Sequence, residues 1–165
     1  MPIMKQILLA LVFWGVGLGT AHAQNASEIA RIQAGQSCAG CNLFQADLSY
    51  HDLPNIDVSG ARLRQADLSL STMNGARFVG TNLSVANLFG ARFTNANFRN
   101  ANLDGANLVG AYFGGADFTG AHFVGANLSG AEMGAAHGLT QTQLNSACGD
   151  SSTELPAGLH ITPCH

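Results

Sequence analysis

The feature that most constrains this chain is a five-residue period that runs unbroken through its middle. The stretch "ANLDGANLVGA" contains the same five-letter word twice. Counting by fives from Leu43, every position as far as Met133 is apolar, and the residue two places before it is nearly always Ala. Cys38 falls on the same register, so the period covers residues 36–135.

This period excludes an ordinary amphipathic element, because a helix repeats about every 3.6 residues and a strand about every two. The chain must instead turn once in each word. An extended segment of about three residues followed by a tight turn meets this requirement, and four such turns close a square coil. Glycine often occupies the turn, two places after the apolar centre, at Gly60, Gly75, Gly80, Gly90, Gly105, Gly110, Gly115, Gly120, Gly125 and Gly130.

The words "ADLSL", "ANLFG", "ANFRN", "ANLDG", "ANLVG", "ADFTG" and "ANLSG" closely resemble the A-(D/N)-L-x-x pattern of pentapeptide-repeat proteins. The resemblance covers about 100 of the 165 residues. It implies an all-β fold, a right-handed quadrilateral β-helix of about five coils. Its strands would stack at a spacing of about 4.8 Å.

Four words per coil would place residues twenty apart directly above one another. The aromatic rings then lie on two adjacent sides of the square, and each of these faces a side rich in Leu, which keeps the volume of each layer constant. This ring placement supports four words per turn independently of the family pattern. The four columns are Leu43, Leu63, Leu83, Leu103 and Phe123; Leu48, Leu68, Leu88, Leu108 and Leu128; Leu53, Met73, Phe93, Phe113 and Met133; and Cys38, Val58, Phe78, Phe98 and Phe118.

Residues 1–23 are predicted to be a secretory signal peptide, because Lys5 precedes the apolar run "ILLALVFWGVGL" and the small-residue site "AHA". The run is shorter than the ~20 residues of a membrane span. Cleavage after Ala23 would leave a periplasmic or secreted protein that begins at Gln24 and has no membrane segment. An uncleaved anchor is the alternative.

Both ends of a solenoid need covers, because an open stack exposes unpaired backbone. Residues 24–35 are the predicted N-terminal cap, a short segment from about Ser27 that turns Ile29 and Ile32 onto the first coil. Residues 136–165 are the predicted C-terminal cap.

The C-terminal cap is predicted to contain a short helix over about residues 141–147. Thr140 and Gln143 have the spacing of a capping box, and Leu139 and Leu144 occupy the hydrophobic-staple positions. The tail that follows carries three apolar residues that can pack over the final coil, namely Leu155, Leu159 and Ile161.

Four cysteines in an exported chain suggest two disulfides. Cys38 and Cys41 belong to the first coil, whereas Cys148 and Cys164 belong to the opposite cap, about 20 Å away by the coil spacing. No bridge spans that distance, so each cysteine is predicted to pair within its own end. "CAGC" also has the spacing of a thiol–disulfide redox centre, which is an alternative role for Cys38 and Cys41.

The words "HDLPN" and "IDVSG" are irregular, with His51 and Ile56 where Ala is usual. We expect local distortion near Pro54 and a buried, hydrogen-bonded His51. A ligand or metal role for His51 is the alternative.

No catalytic constellation, cofactor motif or metal-ligand set is evident in the sequence, so we expect a protein that is not an enzyme. The Asp residues that precede the apolar centres are expected to bond to turn backbones. After Ala23 the chain carries six Arg and no Lys against ten acidic residues, which are scattered. This balance indicates neither a basic nucleic-acid-binding stripe nor a strongly acidic surface.

The sequence therefore predicts an exported structural or protein-interaction module whose partner is an unknown protein or a second copy of itself. Some members of the resembled family mimic DNA and bind a type II topoisomerase through an acidic rod, which gives an alternative function. Stacked outward apolar residues can mark an interface. The candidate interaction patch consists of Tyr50, Leu70, Phe89 and Val109.

Overall fold

The computed structural model describes residues 25–165. The predicted signal peptide and its cleavage site lie outside the described residues. Two short helices are present, α1 at Ala26–Gln33 and α2 at Gln141–Leu144. Two short parallel strands, β1 at Cys148–Gly149 and β2 at Thr162–Pro163, form a small sheet near the C-terminus.

The centre of the chain is a solenoid in which residues twenty apart pair in parallel, beginning with Asn42 and Arg62. The N–H of Arg62 donates to the carbonyl of Cys41 at 2.9 Å, and the N–H of Leu43 donates to the carbonyl of Arg62 at 2.9 Å. Because this exchange recurs in every word, each coil contains twenty residues and four sides.

We name the four sides by the chain's passage through them. Face A contains Leu43, face B Leu48, face C Leu53 and face D Val58, each with the residues that follow at intervals of twenty. All of these apolar centres are buried. The core is therefore one continuous column enclosed by the four faces.

Stacked rings fill the half of the core that lies behind faces C and D. Phe98 stacks on Phe78 at a centroid distance of 4.7 Å and on Phe118 at 5.0 Å. Phe93 and Phe113 stack at 5.3 Å, and Phe98 meets Phe113 edge to face at 5.7 Å. Each such pair contributes about 0.5–1.5 kcal/mol beyond area burial. The predicted placement of rings on two adjacent sides is confirmed.

Two polar residues replace the small Ala inside the coil without leaving a hydroxyl unbonded. Ser71 and Thr81 are both buried. The hydroxyl of Ser71 donates to the carbonyl of Leu68 at 2.7 Å, and that of Thr81 donates to the carbonyl of Val58 at 2.8 Å. These bonds offset the cost of burying a polar group, which is why the register continues through both words.

From Gly40 to Gly130, each turn places its second residue after the centre in the left-handed backbone region. Glycine occupies many of these positions, as at Gly90 with φ 61°. Non-glycine residues occupy eight of them, with φ between 54° and 60°. The turn is therefore set by the period of the fold and not by glycine alone.

Most Asp and Asn residues before a centre hold the turn with their side chains, as expected. The Oδ1 of Asp67 accepts from the N–H of Ser69 at 2.9 Å, and the Oδ1 of Asn97 accepts from the N–H of Arg99 at 3.0 Å. Aspartate and asparagine are interchangeable here because either oxygen can accept this bond.

The expected distortion near Pro54 is wrong. Leu53 donates to Thr72 at 2.8 Å and Asn55 donates to Asn74 at 2.8 Å, so the coil passes through this word in register. In words such as those of Asp67 and Asn97, the residue at this position donates its N–H to a side chain of its own word and not to a backbone carbonyl of the next coil. Proline therefore removes no bond of the ladder there. Asp52 is left without that turn bond.

Helix α1 covers the first coil. It begins at Ala26, one residue before the expected start, and it buries Ile32 against the core. The Oε2 of Glu28 accepts from the N–H of Asn42 at 2.6 Å, and the Nε2 of Gln33 donates to the carbonyl of Asp47 at 2.8 Å. These two side chains bond to backbone groups that have no further coil to pair with.

Helix α2 covers the last coil, and the predicted capping box between Thr140 and Gln143 is confirmed. The helix ends at Leu144, earlier than expected. The Nε2 of Gln143 also donates to the carbonyls of Phe118 at 3.0 Å and Ala121 at 2.8 Å. One side chain thus caps both the helix and the exposed edge of the solenoid.

The chain leaves the solenoid at Gly138, where a side chain would not fit. A Cβ there would lie 2.6 Å from the backbone nitrogen of Thr119, and the φ of Gly138 is 71°. Beyond α2, Cys148 pairs with Asn127 and Glu154 pairs with Glu132, so the tail adds strand fragments to faces B and C. The predicted contacts of the tail are confirmed, since three apolar residues pack against the core: Leu155, Leu159 and Ile161.

Candidate interaction surface

All four residues of the predicted patch lie on face B and its edge. The four residues belong to four successive coils. Tyr50 and Leu70 are stacked in one outward column, and Phe89 and Val109 are stacked in the neighbouring column of the next two coils. We call these four residues the apolar staircase. Tyr50 is 77% exposed, Leu70 44% and Phe89 46%, while Val109 is half-buried. They form an apolar surface on a side whose other outward residues include Ser49, Ser69 and Ser129.

Backbone contacts join the steps of this staircase. The N–H of Leu70 donates to the carbonyl of Phe89 at 2.8 Å, and the N–H of Gly90 donates to the carbonyl of Val109 at 2.9 Å. The side chain of Leu70 reaches over Gly90, because a Cβ built there would lie 2.8 Å from its Cδ2. The patch therefore lies on a rigid backbone.

Two residues of the patch occupy backbone positions that disfavour large side chains. Tyr50 has φ 58° and Leu70 has φ 56°. A left-handed conformation costs an L-residue about 1–2 kcal/mol relative to the right-handed one, and Gly avoids most of this cost. Since both side chains point to solvent, the core gains little from them.

A strip of polar side chains runs beside the apolar staircase on face B. The Nδ2 of Asn107 donates to the Oδ1 of Asn87 at 3.0 Å, and the Nδ2 of Asn87 donates to the Oδ1 of Asp67 at 3.1 Å. Asp47 continues the column into the first coil. The strip thus ends in two carboxylates, and neither has an ion pair among residues 25–165.

The carboxylate of Asp47 is stabilised in its charged form. The hydroxyl of Ser49 donates to its Oδ1 at 2.6 Å and the N–H of Ser49 donates to the same atom at 3.0 Å. Both bonds lower the pKa of Asp47, and the bond from the hydroxyl has the larger effect. The nearby His51 lowers this pKa by a smaller amount. Asp47 therefore keeps its negative charge to a lower pH than an ordinary Asp side chain does.

One exposed apolar residue near the patch was not predicted from the sequence. Val85 is 51% exposed and lies at the turn from face A into face B, with φ 57°. A β-branched residue is a rare occupant of this backbone region. Its place two residues after the centre Leu83, where Gly and Asn are common, is the signal that could have identified it.

The four cysteines lie at the two ends of the solenoid, in two disulfides. Cys38 and Cys41 are bonded, with Cα atoms 5.5 Å apart, and Cys148 and Cys164 are bonded, with Cα atoms 4.8 Å apart. The second disulfide joins β1 to the last residues of the chain. Cys38 and Cys41 are 1% and 8% exposed, so both face the core.

His51 lies apart from any group of metal-binding side chains. It is half-buried, and its Nδ1 lies 2.8 Å from the carbonyl oxygen of Ser49. The expected hydrogen bond is confirmed, whereas the burial is only partial. Within the described part of the chain, no cluster of His, Cys, Asp and Glu could hold a metal ion. No helix between residues 25 and 165 is long and apolar enough to cross a membrane.

Comparisons with known proteins agree on the architecture. The sequence matches the family model described as pentapeptide repeats, with 8 copies, over residues 37–75, 73–105 and 96–134. A pentapeptide repeat protein from the thylakoid lumen of Arabidopsis thaliana is similar at 30% identity and a TM-score of 0.60, over 74% of this chain and 83% of that one. Such structures imply a right-handed β-helix.

Two cyanobacterial pentapeptide repeat proteins are more distant in shape. Rfr23 from Cyanothece is 29% identical with a TM-score of 0.38, over 78% of this chain and 97% of that one. HetL from Nostoc, which is involved in the regulation of heterocyst differentiation, is 26% identical with a TM-score of 0.47, over 76% of this chain and 64% of that one. The comparison with curated proteins found no match.

Proposed function

Because this chain belongs to the pentapeptide-repeat family, we propose that it is an exported, non-catalytic binding module that holds a partner protein on face B. The observation that carries the proposal is the pair Tyr50 and Leu70. Both are large, exposed and in the left-handed region, where the fold alone favours Gly or Asn. Strained residues that the core does not need are typical of functional surfaces.

The chemistry of face B defines the kind of partner that it fits. The apolar staircase offers contact area to an apolar segment, and aromatic side chains such as Tyr50 and Phe89 are common anchors at interfaces. Asp47 and Asp67 lie beside them without a cationic partner in the described chain. The partner would present apolar side chains bordered by Lys or Arg.

Two observations support an exported location. Disulfides form and persist mainly in oxidising compartments, and both pairs of cysteines lie close enough to bond. The similar Arabidopsis thaliana protein comes from the thylakoid lumen.

Neither alternative function has an observation that favours it. A DNA-mimicking rod needs a continuous acidic surface, but on face D Arg77 pairs with Asp57 at 3.4 Å and Arg99 pairs with Asp117 at 3.3 Å. A redox centre needs an accessible sulfur, and Cys38 is 1% exposed.

The test replaces two steps of the staircase, in the double variant Phe89→Asp with Val109→Asp. Its matched control is Asn74→Asp with Thr94→Asp, which changes the same outward column of two adjacent coils on face C. We expect the face B variant to lose partner retention in pull-down and any self-association in sedimentation velocity, with an unchanged circular dichroism spectrum. Equal retention and sedimentation by both variants would refute the proposal.

A further inference from the structure

Face A carries a concavity that the proposed interaction surface does not include. It has a volume of about 300 Å³ and is lined by Asn42, Phe44, Arg62, Arg64 and Asn82. This volume lies at the lower end of the range for small-molecule sites. The lining combines two guanidinium groups, two amides and one aromatic ring.

The two arginines of this concavity differ from the other arginines of the solenoid. Arg77 and Arg99 form ion pairs with Asp residues, and Arg92 lies over the ring of Tyr112 at 5.2 Å. Arg62 and Arg64 have no ion pair, side-chain hydrogen bond or ring contact within residues 25–165. Both guanidinium groups are thus available to an external anion.

The solenoid places these two arginines side by side. Arg62 and Arg64 flank the inward Leu63, so both project outward about 7 Å apart along one strand. In the ladder, Arg62 lies between Asn42 below and Asn82 above. Amide side chains therefore border the guanidinium group on both sides.

Two further side chains shape the site. Phe44 lies one coil below Arg64 and is half-buried although its position is outward, so it provides an apolar wall. Glu28 is the nearby carboxylate, but its Oε2 accepts from the N–H of Asn42 at 2.6 Å, and it makes no ion pair with Arg62 within 4.0 Å.

We propose that this concavity binds a small organic oxyanion, in which a carboxylate or phosphate group is adjacent to a flat apolar group. Arg62 and Arg64 would hold the oxyanion through charge-assisted hydrogen bonds, for which the planar guanidinium is suited. The ring of Phe44 would contact the apolar part. Asn42 and Asn82 would supply further polar contacts.

The test measures binding of three probes to the whole protein by isothermal titration calorimetry, namely phthalate, phenyl phosphate and the neutral phthalamide. We expect at least one anionic probe to bind with a Kd below about 1 mM, and phthalamide to bind at least about tenfold more weakly. Phthalate and phenyl phosphate separate the carboxylate class from the phosphate class. Binding should also weaken as salt is added.

Variants locate the site. Arg62→Gln and Arg64→Gln should each weaken binding of the anionic probe about tenfold. Arg31→Gln, on helix α1 and outside the concavity, is the control and should bind as the original protein does. In NMR spectra the Nε–Hε signals of Arg62 and Arg64 should shift on binding. No binding of either anion, equal binding of phthalamide, or an equal loss in Arg31→Gln would overturn the proposal.

Discussion

The residue at each turn of the solenoid decides how much strain the coil contains. The backbone there is left-handed in each word from Gly40 to Gly130, so Gly and Asn are the least costly choices. Val85 departs most from this preference, because its branched side chain is held at φ 57°. Its strain can be relieved without changing the core, since its side chain is exposed.

We therefore expect Val85→Asn to stabilise the protein by roughly 1 kcal/mol. The measurement is the free energy of unfolding from urea denaturation. Val79→Asn is the matched control, because Val79 is also an outward turn residue but does not have a positive φ. A control variant that gains as much stability as Val85→Asn would show that polarity, and not backbone strain, is responsible.

The Asp residues of the turns make the free energy of unfolding depend on pH under acidic conditions. At Asp117, burial alone would raise the pKa, but the hydroxyl and N–H of Thr119 and the Arg99 guanidinium together lower it. The folded state then binds fewer protons than the unfolded state around pH 4 and below. The stabilisation by charged Asp117 is present above about pH 4 and is lost as the pH falls through its lowered pKa.

Asp117→Asn should remove part of this acid-side loss. The amide oxygen can still accept from Thr119, as Asn97 does from Arg99, but it cannot titrate or pair with Arg99. Urea denaturation at pH 7 and at pH 3 should show a smaller difference in the variant than in the original protein. An equal difference between pH 7 and pH 3 in the variant and in the original protein would contradict this role for Asp117.

Some residue positions could be predicted from the sequence, and others could not. The inward positions follow directly from the period, because only small and apolar side chains fit inside a narrow coil. The regular coil at Pro54 could not be predicted in this way. Whether the coil accepts proline depends on which N–H groups bond to the next coil. The Arg62 and Arg64 site did not follow either, because only the stacked fold shows which arginines lack a partner.

Among the elements, the two caps supply hydrogen-bond partners to the first and last coils, where no neighbouring coil is present. Helix α1 uses Glu28 and Gln33 for this purpose, and helix α2 uses Gln143. The capping box was readable from sequence because it is a local pattern. The bonds from Gln143 to Phe118 and Ala121 were not, because they join residues more than twenty apart.

Gln143→Leu should destabilise the protein by about 2 kcal/mol, because it leaves the helix cap and two carbonyls without their donor or acceptor. Thr142→Ala is the control at the neighbouring exposed residue and should change stability by less than about 0.5 kcal/mol. Urea denaturation measures both. Equal effects would mean that the cap depends on helix propensity and not on these bonds.

The disulfide between Cys148 and Cys164 should act on the C-terminal cap alone. It closes a loop with a sequence separation of 16, for which the chain-entropy estimate is about 3 kcal/mol. In the variant Cys148→Ser with Cys164→Ser, amide hydrogen exchange should rise across residues 148–165 and stay slow in the core coils. Faster exchange throughout the solenoid would contradict a local role.

At the scale of the whole molecule, each coil contacts its neighbours in a one-dimensional stack, so residues twenty apart share a face. This geometry brings Tyr50, Leu70 and Phe89 together although they are far apart in sequence. The shared face was predictable from four words per coil. The left-handed backbone at Tyr50 and Leu70 was not predicted, although both residues lie two places after a centre, where Gly is usual.

The most direct test of binding through face B is hydroxyl-radical footprinting of the protein alone and in complex with the partner that it retains. Oxidation of Tyr50, Leu70 and Phe89 should fall together in the complex, because a partner on face B covers all three. Val124, which is exposed on face A, should react as before. Unchanged oxidation of the three patch residues, or protection of Val124 in their place, would contradict the account.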